Sequence, residues 1–200
     1  MSQRDSEEQR KMQKQKSQVD QGIAAAQEER GVMILLTGEG KGKSSSAFGM
    51  VMRSLGYGHK VGVVQFIKGV QLSGEEIFIR ERHPEVELYQ MATGFTWETQ
   101  DKAGDIAAAE ATWAVAERML ADASLQLVVL DELTYMLGFK YLDEGRVLAA
   151  LSQRPPEQSV VVTGRGGGAA LQALADTVAE IKDLKHAYKS GIKAREGVDY

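Results

Sequence analysis

Residues 32–44 are VMILLTGEGKGKS, in which five apolar side chains lead directly into a loop of glycine and lysine. An unbroken apolar run of this length is typical of a strand that is buried on both faces of a parallel sheet. The following residues, 44–55, predict a helix that ends at Gly56 and Gly58. Glycines let backbone N–H groups point at an anion, and the first turn of a helix adds unpaired donors. The order strand, glycine loop and helix therefore predicts a phosphate-binding loop.

The side chains and the length of this loop refine the prediction. Lys43 would bring a positive charge to phosphates, and the Ser44 hydroxyl can bind Mg²⁺. The common P-loop has four residues between its first glycine and its Gly-Lys-Ser/Thr, whereas only EGK stands between Gly38 and Gly42. A shorter loop with a second lysine, Lys41, predicts a triphosphate pose unlike that of an ordinary ATPase. The alternative is a glycine-rich turn that binds nothing.

The rest of the chain continues the alternation of strands and helices. Strands are predicted at 61–67, 86–91, 125–130 and 160–163, with an edge strand at 178–184, and helices at 103–120, 143–151 and 169–175. This alternation predicts an α/β fold: a mostly parallel sheet with helices on both faces.

The first thirty residues differ from the remainder. Residues 1–30 are rich in Gln, Lys and Glu and form a polar arm, helical or disordered, ahead of a domain at 31–200. Such a segment cannot bury a core of its own. Either it frays into solvent, or it becomes ordered against a partner subunit or a bound substrate.

Two further strand ends carry charged side chains. Asp131 and Glu132 follow the apolar run LVVL, and Arg165 follows the next predicted strand. Ligands of α/β proteins bind at the C-terminal edge of the sheet. The carboxylates are predicted to hold Mg²⁺ directly or through water, although a hydrolase could use the glutamate to activate water, and the pair could merely cap the next helix. Arg165 suits a phosphate or its developing charge, or it is an ordinary solvated arginine.

Composition excludes several classes of function. A net charge of −4 among 200 residues, with no basic stripe, argues against a nucleic-acid partner. The absence of cysteine excludes disulfides and cysteine zinc sites. No apolar run reaches the ~18–20 residues of a membrane span, and the N-terminus has no signal-like apolar region. We therefore expect a cytoplasmic protein that does not associate with membranes.

A loop with two large aromatic side chains follows the third predicted strand. Residues 91–100 are MATGFTWETQ, which places Phe95 and Trp97 among small polar residues. These rings either belong to the core or form a flat apolar wall for a large planar ligand.

Six stretches together resemble a known family, the P-loop ATP:corrinoid adenosyltransferases that act on cob(I)yrinic acid a,c-diamide or cob(I)alamin. They are TGEGKGKSS at 37–45, GVVQFIKG at 62–69, MATGFTWETQ at 91–100, VVLDELTYM at 128–136, TGRG at 163–166 and GVDY at 197–200. The resemblance covers nearly the whole chain, including the polar arm. One departure is SSS at 44–46, where the family usually has Thr-Thr-Ala, but serine keeps the hydroxyl ligand.

The resemblance implies a RecA-like P-loop fold, a homodimer and a defined reaction. The 5′-deoxyadenosyl group of ATP would pass to the Co(I) of a reduced corrinoid and release tripolyphosphate, in adenosylcobalamin biosynthesis or corrinoid salvage. Mg²⁺ or Mn²⁺ would accompany ATP, and a flavoprotein would supply the reduction.

The same resemblance assigns site residues by position. The implied ATP contacts are Gly38, Glu39, Gly40, Lys41, Gly42, Lys43, Ser44, Ser45, Arg53 and Arg165. The metal ligands are Ser44, Asp131 and Glu132. Lys41, Lys43 and Arg165 stabilise the leaving charge, and Phe95 and Trp97 bind the corrinoid.

Two rival interpretations remain at this point. Another P-loop nucleotide enzyme, such as a nucleoside kinase or an ATPase, would use the same loop but cut the β–γ bond of ATP, and release of orthophosphate instead of tripolyphosphate would distinguish it. A non-enzymatic ATP-binding module would bind nucleotide and form no product with a Co(I) corrinoid.

Overall fold

The computed structural model describes residues 3–67, 72–92 and 101–200. In chain order its elements are α1 (Gln3–Ala25), β1 (Met33–Thr37), α2 (Lys43–Gly56), β2 (Val61–Gln65), α3 (Gly74–Arg82), β3 (Glu87–Gln90), α4 (Lys102–Ala121), β4 (Leu127–Asp131), α5 (Leu133–Gly138), α6 (Glu144–Gln153), β5 (Ser159–Thr163), α7 (Gly168–Leu174), β6 (Thr177–Glu180) and a 3₁₀ turn (Ala187–Ser190).

The six strands form one sheet in the order β3-β2-β4-β5-β1-β6. Every strand pair is parallel; Leu35 pairs with Val162, for example, and Val63 with Val129. Parallel neighbours need crossover connections, and the helices supply them. The predicted parallel α/β sheet is therefore confirmed.

Successive residues of the strands belong alternately to two hydrophobic cores, one on each face of the sheet. Leu35 and Leu130 belong to the core that contains the fully buried Trp113 of α4, whose ring lies 6.3 Å from that of Phe66. Leu36 belongs to the other core, which α2 and α3 cover. Because successive side chains of a strand point to opposite faces, helices pack on both faces of the sheet, as predicted.

The polar arm contains α1, a long helix whose side chains are exposed from residue 7 onward. A helix was one of the two predicted forms, whereas the division of the chain at residue 31 stays a prediction. None of the described helices has the length and apolar character to cross a bilayer.

An ion pair fixes the chain where it leaves the arm and enters β1. Arg30 donates two hydrogen bonds to the Asp176 carboxylate, at 2.6 and 3.0 Å, and Met33 N donates to the same carboxylate at 2.8 Å. These contacts hold the pKa of Asp176 at about 2. The start of β1 is thereby tied to the segment that precedes β6.

The structure differs from the predicted elements in three places. It adds α3, capped by Ser73, whose hydroxyl accepts from Glu76 N at 3.3 Å, and the six-residue α5. The predicted edge strand 178–184 is wrong beyond Glu180, because the chain turns there toward the glycine loop. Ile181 N donates to Thr37 O at 2.8 Å, and Gly40 N donates to Ile181 O at 2.7 Å.

Candidate active site

A cavity of about 530 Å³ opens at the C-terminal edge of the sheet. Its described walls come from six parts of the chain: the glycine loop with the start of α2, the end of β2, the start of α3, the end of β4, the turn after β5, and the C-terminal segment 183–199. This edge is where parallel α/β sheets bind their ligands.

The backbone of the glycine loop requires glycine at two positions. Gly38 has φ 100° and Gly42 has φ 121°, values that L side chains rarely adopt. A Cβ on Gly38 would also lie 2.4 Å from Ile181 O. The segment after β6 therefore braces the loop from behind while its front faces the cavity.

Lys43 is the innermost cation of the cavity. Its side chain is buried, with 7% exposed, and its Nζ donates to Gly40 O at 2.8 Å across the loop. Burial lowers the pKa of Lys43, and the negative charge of Glu132 partly opposes that change. A phosphate at this position would face a cation with few water contacts, which strengthens their attraction.

Asp131 connects three neighbouring strands. Its Oδ1 accepts from Thr163 Oγ1 at 2.7 Å, and its Oδ2 accepts from Gln65 Nε2 at 3.1 Å. Gln65 in turn accepts from Gln90 Nε2 at 2.7 Å. Since both carboxylate oxygens already have donors, the arrangement favours a water-mediated role for Asp131 at a metal rather than direct binding.

Glu132 is held differently from its neighbour. Its backbone lies in the left-handed region, with φ 61°, and its N–H donates to Thr163 Oγ1 at 2.9 Å. Its Oε2 is buried and has no hydrogen-bond partner among the described residues. Burial, with Asp131 beside it, raises the pKa of Glu132 to about 7. The cations Lys43 and Arg165 oppose this shift only in part. A left-handed glutamate with an unsatisfied oxygen is typical of a strained functional position.

Arg165 reaches the cavity from the turn after β5. Gly164 has φ 139°, and a Cβ there would overlap Thr134 Oγ1 at 2.0 Å. That hydroxyl donates to Arg165 O at 2.8 Å, which fixes the backbone from which the guanidinium projects. Arg165 Nη1 lies 3.0 Å from Glu39 Oε2 on the glycine loop.

The C-terminal segment contributes a wall that the sequence did not reveal. Lys41 Nζ lies 2.9 Å from Asp199 Oδ1, and Lys189 Nζ lies 2.5 Å from Asp183 Oδ2. His186 also lines the cavity, and its Nδ1 accepts from Tyr188 N at 3.2 Å. Within this segment only GVDY, at 197–200, belongs to a recognisable motif, and no charge pattern predicts that the other residues lie at the site.

The structure brings most of the predicted site residues together. The cavity is lined by Glu39, Gly40, Lys41, Gly42, Lys43, Ser44, Ser45, Asp131, Glu132 and Arg165. Arg53 does not line it, because it lies in the last turn of α2, at the end of the helix opposite to the glycine loop. Phe95 and Trp97 lie outside the described residues. Phe48, Gln65, Ser73 and Glu75 line the cavity and were not predicted to do so.

A divalent cation fits the donors present without being caged by them. No group of three or more His, Asp or Glu side chains within 3–67, 72–92 and 101–200 could hold a metal ion. Ser44 and Glu132 line one cavity, and Glu132 Oε2 lacks a partner within the described chain. Mg²⁺ usually takes one or two protein oxygens together with phosphate oxygens and water, which matches this set.

Comparison with known proteins identifies relatives along the whole chain. Residues 29–200 match the family model "ATP:corrinoid adenosyltransferase BtuR/CobO/CobP". The corrinoid adenosyltransferase of Pseudomonas aeruginosa is 54% identical, over 98% of this chain and 97% of that protein. Corrinoid adenosyltransferase CobA of Salmonella typhimurium is 52% identical and that of Escherichia coli K12 is 50% identical, each over 96% of this chain and 97% of the relative.

Among solved structures, the flagellar accessory protein FlaH of Methanocaldococcus jannaschii has a similar fold. The TM-score is 0.51 at 10% identity, over 78% of this chain and 73% of FlaH. At that identity the similarity concerns the fold alone, and it agrees with the α/β architecture of the sheet and its helices.

Proposed function

The chain belongs to the ATP:corrinoid adenosyltransferase family, and from that premise we propose how its cavity performs the transfer. The enzyme moves the adenosyl group of ATP to a corrinoid. In the proposed reaction the cobalt of a Co(I) corrinoid attacks C5′ of ATP. The cobalt–carbon bond forms, the C5′–O5′ bond breaks, and its electron pair leaves with tripolyphosphate.

The observation that carries this proposal is the arrangement of cations around the shortened loop. Lys43 lies at the bottom of the cavity, and Lys41 and Arg165 lie at its rim. Attack at C5′ makes the whole triphosphate the leaving group, so negative charge grows on several phosphates at once. Fixed donors directed at such developing charge are commonly the largest single contribution to catalysis. The loop amides and these side chains would supply that stabilisation.

The two carboxylates at the end of β4, Asp131 and Glu132, would have different roles at the metal. Mg²⁺ or Mn²⁺, when bound with ATP, would neutralise phosphate charge. Ser44 and Glu132 are the residues that would hold it, and Asp131 would orient its water. Glu132 Oε2, which has no hydrogen-bond partner in the described part of the chain, supports these roles, since a cation would satisfy it.

The protein needs no nucleophile of its own in this proposal. Cobalt of the substrate supplies the electron pair, so no Ser, His or Cys has to be activated. The described cavity does contain Ser44, Ser45, Ser73 and His186 besides its lysines, arginine and carboxylates, and none of them has a nucleophilic role in the proposed reaction. The corrinoid contact of Phe95 and Trp97 is proposed from the family resemblance alone.

Other features of the proposal also rest on the resemblance. We propose a homodimer in the cytoplasm, a flavoprotein as the source of electrons for cobalt reduction, and a role in adenosylcobalamin biosynthesis or corrinoid salvage. The rival interpretations, a kinase, an ATPase or a non-enzymatic module, are not favoured by relatives that are 50–54% identical over nearly the full chain.

The proposal is tested by incubating the protein with ATP, Mg²⁺ and chemically reduced cobalamin under anaerobic conditions. We expect the visible spectrum of a cobalt–carbon bond, whose photolysis by light confirms the alkyl group, and one tripolyphosphate per adenosylated corrinoid by ³¹P NMR. Orthophosphate without an alkylated corrinoid would instead indicate an ATPase. Nucleotide binding without any product would indicate a binding module.

A further inference from the structure

Among the residues that the structure describes, the cavity has more acidic than basic side chains, although its proposed ligand is a polyanion. Six described Asp or Glu residues line it against four described Lys or Arg residues. A metal ion would balance only part of this excess. The individual partners of the cations therefore decide how strongly a polyphosphate is held.

Two of the rim cations are paired with carboxylates of the same chain. Arg165 Nη1 lies 3.0 Å from Glu39 Oε2, and both side chains are more than half exposed, at 53% and 66%. Lys41 Nζ lies 2.9 Å from Asp199 Oδ1. Lys43 differs, because the oxygen that accepts its hydrogen bond is the uncharged carbonyl of Gly40.

Asp199 is fixed in place for this contact. Its Oδ2 accepts from Arg195 N at 2.9 Å, which leaves Oδ1 directed at Lys41. The turn is closed by Gly197 N, which donates to Tyr200 O at 2.8 Å. A carboxylate that is already ordered loses little conformational entropy when it pairs with a lysine.

A carboxylate and a phosphate use the same donors of lysine and arginine. Both are oxygen anions that accept charge-assisted hydrogen bonds, and the arginine fork matches either one. Glu39 belongs to the phosphate loop itself, so its charge also repels the anion that the loop would bind. Glu39 and Asp199 are therefore placed to weaken polyphosphate binding.

We propose that Glu39 and Asp199 compete with polyphosphate for Arg165 and Lys41, and that this competition hastens release of the tripolyphosphate product. The inference rests on the proposed function and deepens it, since Glu39 becomes a positioning residue that limits product retention instead of a phosphate ligand. Differences in affinity among variants of one site arise mostly in the dissociation rate. Removing either carboxylate charge should therefore slow release.

The expected size follows from the exposure of these pairs. Exposed ion pairs contribute little because water screens them, so the expected change in affinity is at most about fivefold. E39Q and D199N should each bind Mg-tripolyphosphate about two- to fivefold more tightly than the parent protein, and the double variant about tenfold more tightly. The direction is informative, because loss of a merely structural contact would weaken binding.

The experiment measures dissociation constants of Mg-tripolyphosphate and MgATP by calorimetry, and tripolyphosphate release by stopped-flow displacement. The matched control is E75Q, because Glu75 lines the same cavity but forms no ion pair within the described residues. Thermal unfolding checks that each variant is folded. Tighter binding and slower release in E39Q and D199N, with a clearly smaller change in E75Q, support the proposal.

Other outcomes overturn it. Unchanged or weaker tripolyphosphate binding in both variants contradicts the competition. An equal gain in E75Q shows a general effect of removing negative charge, which also contradicts it. A parent protein that binds neither ATP nor tripolyphosphate would refute the proposed function and this inference together. If the parent protein binds both, the variant measurements test this inference alone.

Discussion

The cavity has two walls with contrasting physical character. The inner wall, defined as Lys43, Asp131 and Glu132, is largely buried. The outer wall, defined as Glu39, Lys41, Arg165 and Asp199, consists of ion pairs that remain in contact with water. Burial shifts the pKa values of Lys43 and Glu132, whereas the outer pairs lie under solvent screening.

The contrast shows that charge alone does not determine how much each of these residues contributes to the reaction. A buried cation acts through a low dielectric and is little screened, whereas water and salt screen the charge of an exposed cation. We therefore expect the inner wall to determine the rate of the chemical step, and the outer wall to tune affinity and release by smaller factors.

The largest expected effect separates the two lysines of one loop. K43A should lower the adenosylation rate on the order of 10²-fold or more, since a preorganised donor contributes ~3–4 kcal/mol to a transition state. K41A, which removes a lysine from the outer wall, should lower it by about tenfold at most. Single-turnover rates with saturating ATP and reduced corrinoid measure both. Equal losses in the two variants would mean that burial does not distinguish these walls.

The second effect concerns the metal. Glu132 must be deprotonated to bind a cation, and its pKa is raised to about 7. Apparent Mg²⁺ affinity in the presence of ATP should therefore rise up to about tenfold per unit below pH 7 and level off above it. E132Q should bind Mg²⁺ more weakly and show a clearly smaller rise, which reflects only the proton that the terminal phosphate of ATP loses in this range. A parent profile that is flat between pH 6 and 8 would exclude Glu132 as the controlling ligand.

A third effect is visible in stability without any ligand. The raised pKa means that folded protein holds the Glu132 proton more tightly than unfolded protein, whose value is near 4.5. Stability is therefore lost as the pH rises from about 4.5 to about 7. E132Q should exceed the parent by roughly 1–3 kcal/mol at pH 8 and by little at pH 4. Urea unfolding at the two pH values tests this, and an equal difference at both would contradict it.

The smallest effect tests the screening of the outer wall. Raising salt from about 0.05 to 0.5 M shortens the Debye length several-fold. The ratio of ATP dissociation constants between K41A and the parent protein should then shrink to less than about twofold. Calorimetric titrations at the two salt concentrations provide the ratio. A ratio that does not change with salt would mean that Lys41, like Lys43, is shielded from the ions of the solvent.

The sequence predicted the sheet and the inner wall because both follow from local patterns. Unbroken apolar runs specified strands such as β1 and β4, and the residues that follow these strands emerge at one edge by topology. The outer wall depends on pairings between distant parts of the chain. Lys41 meets Asp199 only after the C-terminal segment has folded back, and no periodicity encodes that contact.

Two differences between the predicted and the observed elements have different causes, the first local and the second long-range. Ser73 and Glu76 have the spacing of a capping box, a local signal for the start of α3. Ile181 extends an apolar pattern past Glu180, yet its backbone pairs with the glycine loop, so the strand ends early. A local pattern cannot distinguish an edge strand from a segment that braces a loop.

One isotope experiment tests the central claim, that the cavity holds a departing triphosphate while carbon is transferred. ATP carrying ¹⁸O at the 5′ bridging position is turned over with reduced corrinoid, and the tripolyphosphate is analysed by mass spectrometry. Cleavage of C5′–O5′ predicts that all of the label leaves with tripolyphosphate. Label that stays with the nucleoside product would show that a P–O bond had broken, and would contradict the account.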